Sequence, residues 1–294
     1  MIELRTFGVL DLRGSDGRQL RAILAQPKRL ALLAYLAAAT PGRFHRRDTL
    51  LALFWPDRDL AHARAALSRA VHHLRGSLGE GVLLSRGDEE LGLAADRFCC
   101  DAVRFRELRS SHQLLEALEL YRGEFLEGFF LSDAPEIERW IEAERQQFRE
   151  SAAGVARSVS LSAEAKGDLA LALHWARLAA SHAPYDEADV RRVCALLERT
   201  GERAAAVEFF QRFARRLRDE LELEPSADSR VPGSRRIRRS VPAIVSPPTT
   251  LSAGDWASSL RRTWATRSPR VESLVRLAKS ATTTRSRALG AVAG

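Results

Sequence analysis

The sequence predicts a mainly α fold with a small β component, in which a compact unit of short strands and helices precedes an all-α region of paired helices. Three observations lead to it. Apolar residues alternate with period two only within residues 1–98, three-and-four spacing takes over from Asp101 to about Leu223, and Gly167 and Gly201 open two segments that share a register 34 residues apart.

Each element of the first unit follows from local patterning. Ile2, Leu4 and Thr6 fall on one face of a strand, Leu10 and Leu12 begin a second, and Ser15-Asp16-Gly17 supplies a turn before Gln19-Leu20-Arg21, so a small antiparallel sheet is expected. Pro27 suits the first turn of a helix through Leu36, which Thr40-Pro41-Gly42 stops. Arg46 to Phe54 sets Leu50, Leu53 and Phe54 at helical spacing, Trp55-Pro56-Asp57-Arg58-Asp59 interrupts it, and a longer helix runs from Leu60 to Leu78. Val82-Leu83-Leu84 and Leu91-Gly92-Leu93 then flank Gly87-Asp88 in the bend of a hairpin. Sheet, three helices and hairpin compose a winged helix-turn-helix over residues 1–98.

Residues 99–228 are expected to be all α. In the shared register Asp168 aligns with Glu202, Ala170 with Ala204, Ala172 with Ala206 and Trp175 with Phe209, the period of tetratricopeptide helical hairpins, whose stacked pairs bury a continuous core. After Pro225 the composition shifts to Ser, Arg, Pro and Thr, and residues 229–294 are expected to form a basic, disordered, low-complexity tail.

Composition bounds the function classes. With 294 residues, 45% of them hydrophobic, the chain has material for two modest domains with separate cores, which excludes a wholly disordered or collagen-like protein. All but Lys28, Lys166 and Lys279 of the 46 cations are arginine, whose fork suits phosphate and guanine. Residues 1–108 carry 17 cations and 13 anions, residues 109–228 carry 16 and 23, and residues 229–294 carry 13 and 2. The basic balance therefore belongs mostly to the tail, and any nucleic-acid argument must rest on where cations sit in the first unit. Met1-Ile2-Glu3-Leu4-Arg5 has charge where a signal peptide needs an apolar stretch, and the longest apolar run, Leu30 to Ala39, is far short of a membrane span. A cytoplasmic protein without membrane association is expected. Cys99, Cys100 and Cys194 fit neither a disulfide framework nor a zinc site and read as structural thiols.

The helix from Leu60 to Leu78 bears most of the functional reading. Leu60, Ala63, Leu67, Val71, Leu74 and Leu78 form a stripe that should face the core, while His62, Ala65, Arg69, His72 and His73 point outward. Arg64, Ser68 and Arg75 flank the seam, and the helix contains no acid. Such a face suits a phosphate-lined groove, and Ala61, Ala65 and Ala66 would let the backbone approach a duplex closely. Arg69 is the candidate for a base edge. Arg64 and Arg75, with Arg46 and Arg47 at the head of the preceding helix, are candidates for phosphate contacts, and Arg86 on the hairpin completes the set.

Other chemistries find little support. Adjacent His72 and His73 diverge by about a hundred degrees on a helix, and no metal-binding spacing occurs with His62 or His45, so no metal is expected. Trp55 reads as core packing. No phosphate loop, nucleophile elbow or dinucleotide fingerprint is present, so neither a catalytic residue nor a cofactor is assigned. Glu136, Glu138, Glu142 and Glu144 share a helix with Arg139, Arg145 and Arg149 and read as solvated faces with intrahelical pairs.

The first unit resembles the OmpR-type winged-helix domain of the Streptomyces antibiotic regulatory protein (SARP) family. The resemblance lies in Leu4 to Leu10, Pro27 to Leu36, Leu50 to Trp55 and Ala63-Arg64-Ala65-Ala66-Leu67 with Val71 and Leu74-Arg75. The second region is similar to that family's bacterial transcriptional activator domain at Ala117 to Leu126, Trp140 to Arg145, Gly167 to Leu173 and Leu217 to Pro225. The resemblance implies a transcription activator whose wing and recognition helix bind repeats in double-stranded promoter DNA, and whose helical domain assists homodimerisation and contacts RNA polymerase holoenzyme. Two departures stand out: His73 replaces a usual arginine, and the wing has acidic Asp88-Glu89-Glu90 where a Gly-Tyr is common. A tetratricopeptide-like interaction adaptor, with a winged helix that does not bind DNA, is the alternative reading.

Overall fold

The computed structural model describes residues 1–226 and Ser229. The remaining residues of the expected tail, 230–294, lie outside the described residues. Strand β1 (Ile2–Arg5) pairs antiparallel with β2 (Asp11–Arg13). A short helix α1 (Arg21–Leu24) leads to α2 (Pro27–Ala38), started by Pro27 and buried from Leu30 to Ala38 except at the half-buried Tyr35. Then come β3 (His45–Arg46), α3 (Arg47–Phe54) and α4 (Leu60–Leu78), followed by the hairpin of β4 (Leu83–Arg86) and β5 (Glu90–Leu93). Strand β6 (Phe98–Cys100) runs parallel to β1, giving sheets of order β2-β1-β6 and β3-β5-β4. The fold is thus a winged helix-turn-helix followed by a helical region.

Three elements were not expected. Helix α1 is a single turn and β3 has two residues, both too short for a periodic signature. Strand β6 is defined only by its distant partner β1. It straddles residues 98 and 99 and runs directly into α5 (Asp101–Ser110), tying the helical region to the N-terminal sheet.

That junction is tightly built. The half-buried Asp101 carboxylate accepts hydrogen bonds from the Thr6 backbone N–H at 2.8 Å, the Thr6 hydroxyl at 2.6 Å and the Phe7 N–H at 3.1 Å. Residues 6–8 also run against residues 124–126: Gly8 N–H donates to the Glu124 carbonyl at 3.0 Å, and Leu126 N–H to that of Thr6 at 2.7 Å. Gly8 (φ +72°) and Gly123 permit this approach, because a Cβ on Gly123 would stand 2.7 Å from the Gly8 Cα. Phe7 sits edge-on to Phe105, Tyr121, Phe125 and Phe148, at centroid distances of 5.7, 5.0, 6.4 and 5.0 Å.

One hydrophobic core consequently runs from β1 through the winged helix into the next helices, and a second begins near Ala163. The two expected cores exist, but they divide inside the helical region rather than between it and the winged helix. Helices α6 (Leu114–Leu120) and α7 (Pro135–Ala165) belong mainly to the first core. Helices α8 (Leu169–His182), α9 (Glu187–Arg199) and α10 (Arg203–Leu221) build most of the second.

The 34-residue register is realised bond by bond. Asp168 N–H donates to the Ala163 carbonyl at 3.0 Å, as Glu202 N–H does to that of Leu197 at 2.8 Å. The Ser160 hydroxyl donates to the Ala172 carbonyl at 2.7 Å and the Cys194 thiol to the Ala206 carbonyl at 3.6 Å. Gly167 (φ +81°) and Gly201 (φ +85°) make the two matching turns.

Helix α7 corrects the expectation for its charges. Glu136–Arg139 and Glu142–Arg145 are intrahelical pairs as expected. Glu144, however, is buried and pairs with Arg106 of α5, whose guanidinium lies 4.5 Å from the Phe148 ring and also donates to the Ala38 carbonyl at 2.8 Å. Burial pushes the Glu144 carboxyl above its usual range, against the pull of Arg106. Glu138 accepts from the Leu131 N–H, Arg149 reaches Glu124 at 3.0 Å, and Arg145 donates to the carbonyls of Phe125, Leu126 and Phe129. These side chains hold the loop before α7 in place.

Candidate nucleic-acid interface

The interface is assembled around α4. Asp59 caps it, accepting the His62 N–H at 3.1 Å, and Gly79 (φ +88°) ends it. Ala63, Leu67, Ala70, Val71, Leu74 and Leu78 face the core. Leu60 does not: it is 55% exposed, because the stripe's direction meets solvent at the first turn, beyond the end of the core beneath. Trp55, in the turn before the helix, is buried, with the Lys28 Nζ 5.6 Å from its ring centroid.

Every predicted contact residue on α4 is exposed: His62, Arg64, Ala65, Ser68, Arg69, His72, His73 and Arg75. Their partners differ. The His62 Nδ1 lies 2.5 Å from an Asp59 carboxylate oxygen, and the two hydrogen bonds from His62, backbone and side chain, hold the Asp59 carboxyl below its usual range. Arg75 donates to the Ser85 hydroxyl on β4 at 2.7 Å. Arg86 reaches Glu90 at 3.3 Å and stacks 4.2 Å from the Phe44 ring. By contrast, among the described residues Arg46, Arg64 and Arg69 have no carboxylate in ion-pair contact.

Arg46 and Arg47 meet Arg64 and Ser68 across a pocket of about 310 Å³ between the head of α3, one flank of α4 and the wing tip. The Arg47 N–H donates to the Glu89 carbonyl at 2.7 Å, while its Nε is buried without a partner. Asp48, Asp88 and Glu89 line the same pocket. The acidic wing was visible in the sequence, but that its tip turns toward these arginines was not, since only the β3–β5 pairing, Arg46 opposite Glu90, brings the segments together.

His72 and His73 stack edge-on with centroids 5.9 Å apart, and His45 is buried away from them beside Tyr35, its imidazolium disfavoured by burial. Among the described residues no group of three His, Cys, Asp or Glu side chains could hold a metal ion. Burial pushes the Cys99 thiol up and the Cys100 thiol to about 12, the opposite of an activated nucleophile. No helix among the described residues is long and apolar enough to cross a membrane.

Comparison with known proteins adds two findings. Residues 100–231 match the family model of the bacterial transcriptional activator domain, a regulatory rather than an enzymatic module. The chain is also similar to a solved structure of Mycobacterium tuberculosis EmbR in complex with a low-affinity phosphopeptide. The two are 21% identical, the match covers 90% of this chain and 70% of that one, and the TM-score is 0.57, a likeness of fold. No curated protein matches the chain.

Proposed function

We propose that the protein is a SARP-type transcriptional activator that binds repeats in double-stranded promoter DNA through α4. The observation that carries this reading is an exposed, acid-free helix face whose Arg64 and Arg69 have no carboxylate partner among the described residues, presented as the second helix of a helix-turn-helix beside a region matching the bacterial transcriptional activator domain. Arg69 reads a base edge, while Arg46, Arg47 and Arg64 set the register on phosphates with Ser68. Ala65 allows close approach, and His72 and His73 lie along the phosphate-facing side. His62, Arg75 and Arg86 keep their protein partners and act at the edge of the interface. The helical region, on this reading, contacts RNA polymerase holoenzyme and assists dimerisation, and the protein works in the cytoplasm.

Footprinting the full chain across the promoter beside its own gene tests the reading. A protected pair of repeats, weakened by Arg69→Ala, supports it. Failure to bind any duplex at low salt ends it and favours the adaptor reading, which rests on the repeated helix-pair contacts at Ala172 and Ala206.

A further inference from the structure

The pocket beside α4 has both signs of charge. Arg46, Arg47 and Arg64 line it with Ser68, and so do Asp88 and Glu89 from the wing tip. The acids do not neutralise the arginines: among the described residues neither Asp88 nor Glu89 forms an ion pair. They are nonetheless fixed in place, because the Glu89 carbonyl accepts the Arg47 N–H at 2.7 Å and the neighbouring Glu90 is paired in register with Arg46. Glu90 itself is occupied by Arg86 at 3.3 Å, which leaves Asp88 and Glu89 as the exposed, unpaired carboxylates of the tip.

A backbone phosphate entering this pocket meets three guanidinium groups together with the two wing-tip carboxylates and that of Asp48 on α3. Attraction to phosphate alone is therefore weakened where it would otherwise be strongest, and a duplex is held only if α4 also finds its base contacts. We infer that Asp88 and Glu89 are an electrostatic filter that lowers affinity for non-cognate DNA more than for the cognate site. The inference rests on the DNA-binding reading above and adds to it the source of discrimination.

The test compares the full-length wild type with the Asp88→Asn/Glu89→Gln double variant. Fluorescence anisotropy would follow a random-sequence duplex and the footprinted promoter duplex over a range of salt. The control is Glu80→Gln/Asp96→Asn, which removes the same charge at the opposite end of the hairpin from exposed positions outside the pocket.

The filter predicts that the tip variant binds the random duplex about tenfold more tightly, gains less on the promoter, and shows a log–log salt dependence steeper by up to about one. The control should change both affinities little. Matching thermal midpoints verify that all three chains are folded. An equal gain in the control would make the effect one of net charge and overturn the inference. So would an unchanged tip variant beside a wild type that binds DNA, which leaves the DNA-binding reading standing. No binding by either chain would overturn both.

Discussion

Arginine is used in opposite ways on α4 and on α7. On α4 and just before α3, Arg46, Arg64 and Arg69 stand in solvent with no carboxylate among the described residues in ion-pair contact. Around α7, Arg106 is locked to Glu144, Arg145 is covered by three carbonyls, and Arg157 holds the buried Asp189 through two hydrogen bonds of 2.7 and 2.6 Å. The chemistry of the group is the same, and the supply of acceptors differs. A guanidinium that already has its acceptors is part of the fold. One that lacks them keeps the capacity to exchange water for phosphate or guanine.

The sharpest way to break this comparison is to remove a partner on the paired side. Glu144→Ala should cost about 3–5 kcal/mol of stability, because it leaves the Arg106 guanidinium partly buried without its counter-charge. Arg69→Ala should change stability by no more than about 0.5 kcal/mol. Urea denaturation of both variants decides it, and similar losses would show that α4 uses its arginines structurally too.

The sequence made one side of the contrast more legible than the other. Helix α4 was readable to its last residue because the Trp55-to-Asp59 interruption and the apolar spacing that follows it are both local. The repeat turns at Gly167 and Gly201 were readable for the same reason. Arg64 and Arg69 were recognisable as candidates because no acid lies within α4, and Arg46 because it heads the preceding helix. Glu144 was misread because its partner Arg106 lies on another helix, and helical spacing offers an exposed intrahelical neighbour as readily as a buried distant one. The meeting of residues 6–8 with 124–126, and of the wing tip with Arg47, likewise leaves no periodic trace. Leu60 shows the converse limit, since its place on the stripe says nothing of where the core ends.

Acid should sharpen the contrast next. His182, in the helical region, is packed edge-on to Tyr121 at 5.1 Å, and burial, with the nearby Arg149 charge adding to it, lowers its pKa to about 4. The unfolded chain takes up that proton near the ordinary value of about 6.5, so the native state loses stability as pH falls from there toward 4, by about 2 kcal/mol at pH 5. His45 and His174, also lowered by burial, act in the same direction. Glu144 and Asp101, raised by burial, act in the opposite one, since protonation favours their native forms. Denaturation at pH 7 and pH 5 should therefore show a smaller decline in His182→Gln than in the wild type. Equal declines would remove His182 from the account.

On the unpaired side the effects are on binding. Arg69→Ala should weaken the promoter complex by about 1–3 kcal/mol and relax preference at one base position, with random-sequence affinity nearly unchanged. Competition titrations against single-base variants of the footprinted site measure this. A loss spread evenly over all sequences would move Arg69 from base reading to phosphate binding.

Arg64→Ala should give the smallest change and the most diagnostic one. Arg64 lines the pocket with Arg46 and Arg47, on the flank of α4 rather than at the centre of its outer face, so its removal should weaken promoter and random duplex alike by several-fold. The log–log salt dependence should become shallower by about one, the signature of a lost phosphate contact. Because Arg64 has no ion-pair partner among the described residues, urea denaturation should find the variant as stable as the wild type within about 0.5 kcal/mol. A variant that kept its salt dependence but lost selectivity would place Arg64 on the bases, and the division between a reading centre and a gripping flank on α4 would have to be reversed.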